Sequence, residues 1–87
     1  MGRLRLTSGF CRAAQRFARR DRKDLGRTLA TLVGDWPALP RPGDRRMLLP
    51  PVQRCLARRV GGTSLWVYFE VRGDEVWAIA VGPAVEE

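Results

Sequence analysis

Leu65-Trp66-Val67-Tyr68-Phe69-Glu70-Val71-Arg72-Gly73-Asp74-Glu75-Val76-Trp77-Ala78-Ile79-Ala80-Val81-Gly82 reads as two adjacent antiparallel strands joined at Arg72-Gly73-Asp74-Glu75. Strand side chains alternate between two faces. Leu65, Val67, Phe69 and Val71 therefore share a face that requires a core. Trp66, Tyr68, Glu70 and Arg72 share the other, which sets two large aromatic rings beside charges. In a basic chain, that open face is where function is expected.

Working outward, residues 3–7 (Arg-Leu-Arg-Leu-Thr) alternate strictly and predict a short first strand with Leu4 and Leu6 inward. Ser8 is the expected N-cap of a helix whose stripe is Phe10, Ala13, Ala14 and Phe17. Asp21 or Asp24 is expected to cap a second helix, which presents Leu25, Leu29, Leu32 and Val33 and ends near Gly34. Residues 36–51 carry Pro37, Pro40, Pro42, Pro50 and Pro51 and are expected to form a surface loop. A strand follows from Val52 to about Val60, then a turn at Gly61-Gly62-Thr63-Ser64. The order β-α-α-β-β-β predicts a single domain over residues 1–87. Its class is two-layer α+β, a helical hairpin packed on a small, mostly antiparallel sheet. Phe10, Phe17, Leu25, Leu29 and Leu32 are expected to meet Leu4, Leu6, Leu65, Val67, Phe69, Trp77, Ile79 and Val81.

Composition narrows the function classes. The net charge is +7, from 16 Lys and Arg against 9 Asp and Glu, and Lys23 is the lone lysine. Arginine offers a planar fork of donors that matches phosphate and stacks on rings, so a polyanion or an acidic protein is the expected partner. Solvation of the charges is the competing explanation. The 87 residues suffice for one modest core, and 45% of them are hydrophobic, which suits a folded domain. Apolar runs are too short for a membrane span, and Arg3, Arg5 and Arg12 interrupt any signal-like segment, so a cytoplasmic protein with no membrane partner is expected. Cys11 and Cys55 form no metal-ligand pattern. The chain contains no histidine, which excludes Ser-His and Cys-His catalysis within it. No metal and no cofactor are expected.

The opening Arg3-Leu4-Arg5-Leu6-Thr7, the helix run Arg12-Ala13-Ala14-Gln15-Arg16-Phe17 and the segment Arg58-Arg59-Val60-Gly61-Gly62 lead into Val67-Tyr68-Phe69-Glu70-Val71, Asp74-Glu75-Val76 and Ala80-Val81-Gly82. With the element order, this pattern resembles the RelE/ParE superfamily, the small basic toxins of bacterial type II toxin–antitoxin modules. The resemblance covers nearly the whole chain and is one of residue classes rather than of a fixed signature. It implies a cognate acidic antitoxin as partner. It further implies a RelE-like activity, with a ParE-like or degenerate toxin that acts by binding a protein target as the alternative. RelE-like members are ribosome-dependent endoribonucleases that cut mRNA in the A site and so inhibit translation. ParE-like members bind DNA gyrase and cut no RNA.

Under the nuclease form, the resemblance implies Arg58, Arg54 and Tyr68 as catalytic residues, with no metal required. It implies Arg3, Arg5, Arg45, Arg46, Arg59, Trp66 and Arg72 as RNA contacts. Arg58 and Arg59 fall on opposite faces of their strand, and Arg58 shares a face with Arg54. Trp66 and Tyr68 read either as a base-stacking platform or as cross-strand packing. Two departures from the family pattern favour the non-cleaving form. Trp66 stands where the nucleases tend to place an arginine. After Val81-Gly82, where many members carry a basic residue and a tyrosine, this chain reads Pro83-Ala84-Val85-Glu86-Glu87. The helical run Arg16, Arg19, Arg20, Arg22 and Lys23 reads as a ribosomal RNA contact or as a solvated face.

Overall fold

The computed structural model describes residues 2–49 and 53–84. Pro50, Pro51, the expected strand start at Val52 and the Glu86-Glu87 tail lie outside the described residues. Strand β1 (Arg3–Leu6) leads into helix α1 (Ser8–Gln15) and helix α2 (Arg19–Asp35). Strands β2 (Arg45–Leu49), β3 (Gln53–Arg59), β4 (Leu65–Arg72) and β5 (Glu75–Pro83) follow. The five strands form one sheet in the order β1-β5-β4-β3-β2. Only β1 runs parallel, against β5, and the remaining pairs are antiparallel. The α+β class is as the sequence indicates, with one strand more than expected.

That strand is β2. The prolines of residues 36–51 predict a loop, but Arg45-Arg46-Met47-Leu48-Leu49 pairs with β3 from Arg45↔Ala57 to Leu49↔Gln53. The prolines lie on either side of this run. Five consecutive residues with free N–H groups can join a ladder however many prolines flank them.

Helix boundaries also shift. Thr7, not Ser8, caps α1: its hydroxyl oxygen accepts the Phe10 N–H at 3.1 Å and its O–H donates to the Ile79 carbonyl at 2.8 Å. One side chain thus caps the helix and ties it to β5. Helix α2 begins earlier than an aspartate cap would place it. Ala18 is its N-cap and provides no side-chain bond, while Asp21 sits inside the first turn, where a carboxylate favours the helix dipole.

The core lies between the helices and one sheet face. Phe10, Leu25, Leu32, Val60, Val67, Phe69, Val76, Ala78 and Val81 are buried there. Each fully buried large apolar side chain contributes about 1.5–3 kcal/mol relative to exposure. Simple alternation assigns Trp77 and Ile79 to this core, and neither belongs to it. Between Tyr68↔Ala80 and Phe69↔Ala78 the register slips by one, so Ile79 is the extra residue of a β-bulge. Alternation counted back from Val81 therefore changes phase at the bulge. Val76 and Ala78 turn inward, while Trp77 turns to the open face opposite Glu70. Leu6, also expected inside, is 43% exposed because β1 is an edge strand. Val71, on the core-facing side of β4, is exposed as well.

Two glycines have positional roles. Gly73 takes φ +59° at the first position of the two-residue β4–β5 turn, and Asp74 has negative φ, which matches a II′ hairpin. At Gly2 a Cβ would lie 2.9 Å from the Trp36 side chain, so only glycine lets β1 approach the end of α2. The Trp36 indole N–H donates to the Gly73 carbonyl at 2.9 Å and fastens that helix end to the hairpin.

The strap between α2 and β2 is held by Arg58. Its Nε and Nη2 grip both oxygens of Asp44 at 2.8 and 2.7 Å, and its Nη1 reaches Asp35 at 2.9 Å and the Thr31 hydroxyl at 3.0 Å. Arg41 closes the network, donating its backbone N–H to Asp44 at 3.0 Å and its guanidinium to Asp35 at 3.1 Å. The Arg58 and Asp44 side chains are 3% and 2% exposed. Burial opposes ionisation of Asp44, but the hydrogen bonds and charge of Arg58 and the Arg41 N–H outweigh it, so its carboxyl titrates below the ordinary value of 3.8.

Removing one member of such a pair strands a buried charge. Arg58→Ala is expected to cost about 3–5 kcal/mol in denaturant unfolding, whereas the exposed Arg54→Ala should stay within about 0.5 kcal/mol of the parent. The unfolded chain binds a proton at Asp44 more readily than the folded one. The associated stability is therefore fully present above the ordinary carboxylate range and is lost as pH falls through the depressed folded value. Asp44→Asn should flatten that acid-side decline in urea unfolding measured at a series of pH values.

Candidate nucleic-acid interface

Register pairing decides which side chains share a face. Arg45 lies opposite Ala57, Ala57 opposite Tyr68, and Tyr68 opposite Ala80, all on the sheet face away from the helices. A second small cluster sits here: Cys55, Ala57 and Tyr68 are buried, with Met47, Leu49, Trp66, Ile79 and Ala80 packed around them. The face thus has its own apolar floor. Burial pushes the Cys55 thiol up, and the charge of Glu70 adds to the effect.

Six of the sequence-predicted contacts share this face. Arg59 lies opposite Trp66 and donates to the Thr63 carbonyl at 2.9 Å. The Arg45 guanidinium carbon lies 4.7 Å from the centroid of the Trp66 ring, within cation–π range. Arg72 stacks over Trp77 at 4.8 Å and donates to Glu70 at 2.9 Å. Arg5 bonds Glu75 at 2.6 Å and Arg3 bonds Asp74 at 3.1 Å, both at the rim. The Arg5 guanidinium holds the Glu75 carboxyl below its usual range. Arg3, Arg5, Arg45, Arg59, Trp66 and Arg72 are thereby brought together.

Of the three residues expected to be catalytic, one shares this face and two do not. Tyr68 faces the open side but is buried, and its phenol donates to the Pro83 carbonyl at 2.8 Å. Arg54 and Arg58 lie on the opposite face, since Arg54 pairs with Leu48 and Arg58 with the core residue Val67. Arg58 is committed to Asp35 and Asp44. Arg54 and Arg46, the latter expected to contact RNA, flank a cleft of about 550 Å³ on the helix side, with Leu48, Leu56, Phe69 and Val71 as its apolar wall. No cluster of ligating side chains fit to hold a metal occurs among the described residues. Nor does any helix there have the length and apolarity to cross a membrane.

Trp77 is the member of the open face that strand alternation does not reveal. Its outward position follows from the bulge, which no local pattern marks. The tight turn at Gly73-Asp74 then sets Arg72 beside it, across the hairpin from β5.

No protein-family model matches the chain, and no curated protein matches it. Among solved structures, a chain of the intact E. coli RelBE toxin-antitoxin complex superposes with a TM-score of 0.64. The match covers 99% of this chain and 100% of that one, at 14% sequence identity. The fold is therefore shared from end to end.

The thiols offer a check on the buried floor. Cys55 is 7% exposed and titrates high, while Cys11 on α1 is half-buried. Iodoacetamide followed by mass mapping should modify Cys11 first and reach Cys55 roughly tenfold or more slowly until denaturant is added, the ratio expected where exposing the thiol costs about 1.4 kcal/mol.

Proposed function

We propose that this chain is the toxin of a bacterial type II toxin–antitoxin pair, held in check by an acidic antitoxin, and that its open sheet face takes the target. One observation carries the reading. On a RelE-like fold, six of the expected contact residues converge on a single face that mixes cations with indole rings. Such a surface suits RNA, since arginine meets phosphate and rings stack on bases.

In its RNA-cleaving form, the protein acts on mRNA at the ribosome. The 2′-hydroxyl gives its proton to water and attacks the adjacent phosphate. The P–O5′ bond breaks to leave a 2′,3′-cyclic phosphate and a 5′-oxygen that takes a proton from water, and fixed cations stabilise the charge that develops on the phosphate. Arg59 on β3, opposite Trp66, and Arg45, over the Trp66 ring, supply those cations in this reading, in preference to Arg54 and Arg58. The non-cleaving form, with a protein target such as DNA gyrase, draws on different observations. Arg58 is sequestered, the Tyr68 phenol is committed to Pro83, and Glu70 and Glu75 are each held by an arginine. The face then binds without exchanging protons.

Brief induction in a bacterial host, with mRNA 5′ ends mapped on ribosomes, separates the two. The cleaving form predicts cuts within the A-site codon that an Arg45→Ala/Arg59→Ala variant loses and Arg54→Ala keeps. Growth arrest with a DNA-damage response and no cuts assigns the non-cleaving form. Absence of arrest overturns the toxin reading.

A further inference from the structure

The β5 bulge gives the open face a second indole that simple alternation assigns to the core. Trp66 and Trp77 are both half-buried on this face, and each carries an arginine: Arg45 lies 4.7 Å from the first ring and Arg72 lies 4.8 Å from the second. Both arginines are exposed. Trp66 and Glu70 are four residues apart on β4, and Glu70 is the register partner of Trp77. The two stacks therefore stand about 13 Å apart along the strand direction. The floor between them is low and apolar, formed by Ala57, Ala80 and the buried Tyr68.

Charges on the face do not oppose an anion. Glu70, the carboxylate nearest the centre, accepts from Arg72 at 2.9 Å and from the Gln53 amide at 3.4 Å. Glu75 is bonded to Arg5 at 2.6 Å. Arg45, by contrast, forms no ion pair among the described residues, so its charge is available to a phosphate while its plane covers Trp66.

We propose that the open face is a binding site for single-stranded RNA, in which the Arg45–Trp66 and Arg72–Trp77 stacks each receive one base. The inference rests on the open face being the target face and adds the ligand class and its two anchors. Bases stack on indole rings and on guanidinium planes alike, because each presents a flat polarisable surface, and this stacking tolerates any sequence. A base at each platform leaves the intervening backbone over the low floor, within reach of arginine donors. The site thus holds a short unpaired segment with little sequence preference and excludes a continuous duplex, whose bases are not splayed.

The test uses the purified protein and synthetic oligoribonucleotides, with affinity read by fluorescence anisotropy at two salt concentrations. Affinity should rise from a mononucleotide to an oligomer long enough to reach both rings, and then level off. Trp66→Ala and Trp77→Ala, with folding confirmed by circular dichroism, should each weaken binding of that oligomer between about fivefold and about a hundredfold. The double variant should bind it no better than the parent binds a mononucleotide. A blunt-ended RNA duplex with no unpaired bases should compete poorly. The length series on the parent protein keeps the proposal testable even if an alanine variant unfolds.

Affinity that grows steadily with length and depends on salt alone, with both tryptophan variants unchanged, would overturn the two-stack site in favour of a diffuse cationic patch. No binding to any oligomer would overturn it as well. If growth arrest persists in that case, the toxin reading stands with a protein target. Stacked binding in the absence of arrest would instead support the site and sink the toxin reading.

Discussion

The buried Arg58 guanidinium organises the side of the molecule where the strap between α2 and β2 meets the sheet. It sits on β3, facing the helices, and joins Asp35 at the end of α2 to Asp44 at the end of the strap. Two arginines face two aspartates in this network, Arg58 and Arg41 against Asp35 and Asp44, so the formal charges cancel. Its geometry meets the conditions under which a buried ion pair is tolerated, since Asp44 is gripped at both oxygens and a further Arg58 proton is taken by Thr31. The strap enters β2 directly after Asp44, so this anchor fixes where the edge strand begins. With β2 in place, Arg45 comes to lie over Trp66. An interaction on the hidden side of the sheet thereby sets the geometry of the open one.

The second determinant is the bulge at Ile79. A uniform β5 would send Trp77 toward the helices and turn Ala78 outward. The extra residue restores the phase at Val81, which still packs inward, and leaves Val76 and Ala78 to fill the space beneath α1 and α2. A small alanine there lets the helices approach the sheet closely. The displaced indole becomes surface beside Arg72. The same register change that seals the core therefore enriches the outer face in aromatic area.

Much of this fold is legible in the sequence. Strict alternation gives β1 and β4, helical spacing of Phe10, Leu25 and Leu32 gives the packed helices, and Gly73-Asp74 marks the hairpin. What is hidden follows from non-local causes. Strand β2 shows itself only by pairing with β3, because the surrounding prolines dominate any local reading. The Thr7 cap depends on a carbonyl of Ile79, 72 residues away. For the site, alternation correctly puts Arg54 with Arg58 and separates them from Arg59, yet it does not say which face is covered. The register partner Val67 and the ion partners Asp35 and Asp44 reveal that Arg58 points into the protein. Trp66 is legible as an open-face aromatic, whereas Trp77 is not, because a bulge carries no signature in its own residues.

The working surface is proposed to be the face carrying Arg45 and Trp66, with the Arg54 side of β3 lying apart from it. The most direct measurement is growth after controlled induction of the parent and of two variants at matched protein levels, Arg45→Ala/Trp66→Ala and Arg46→Ala/Arg54→Ala. The first variant should no longer arrest growth, and the second should arrest it as the parent does. Retained arrest in the first, with loss in the second, would place the function on the helix-side cleft and contradict the assignment.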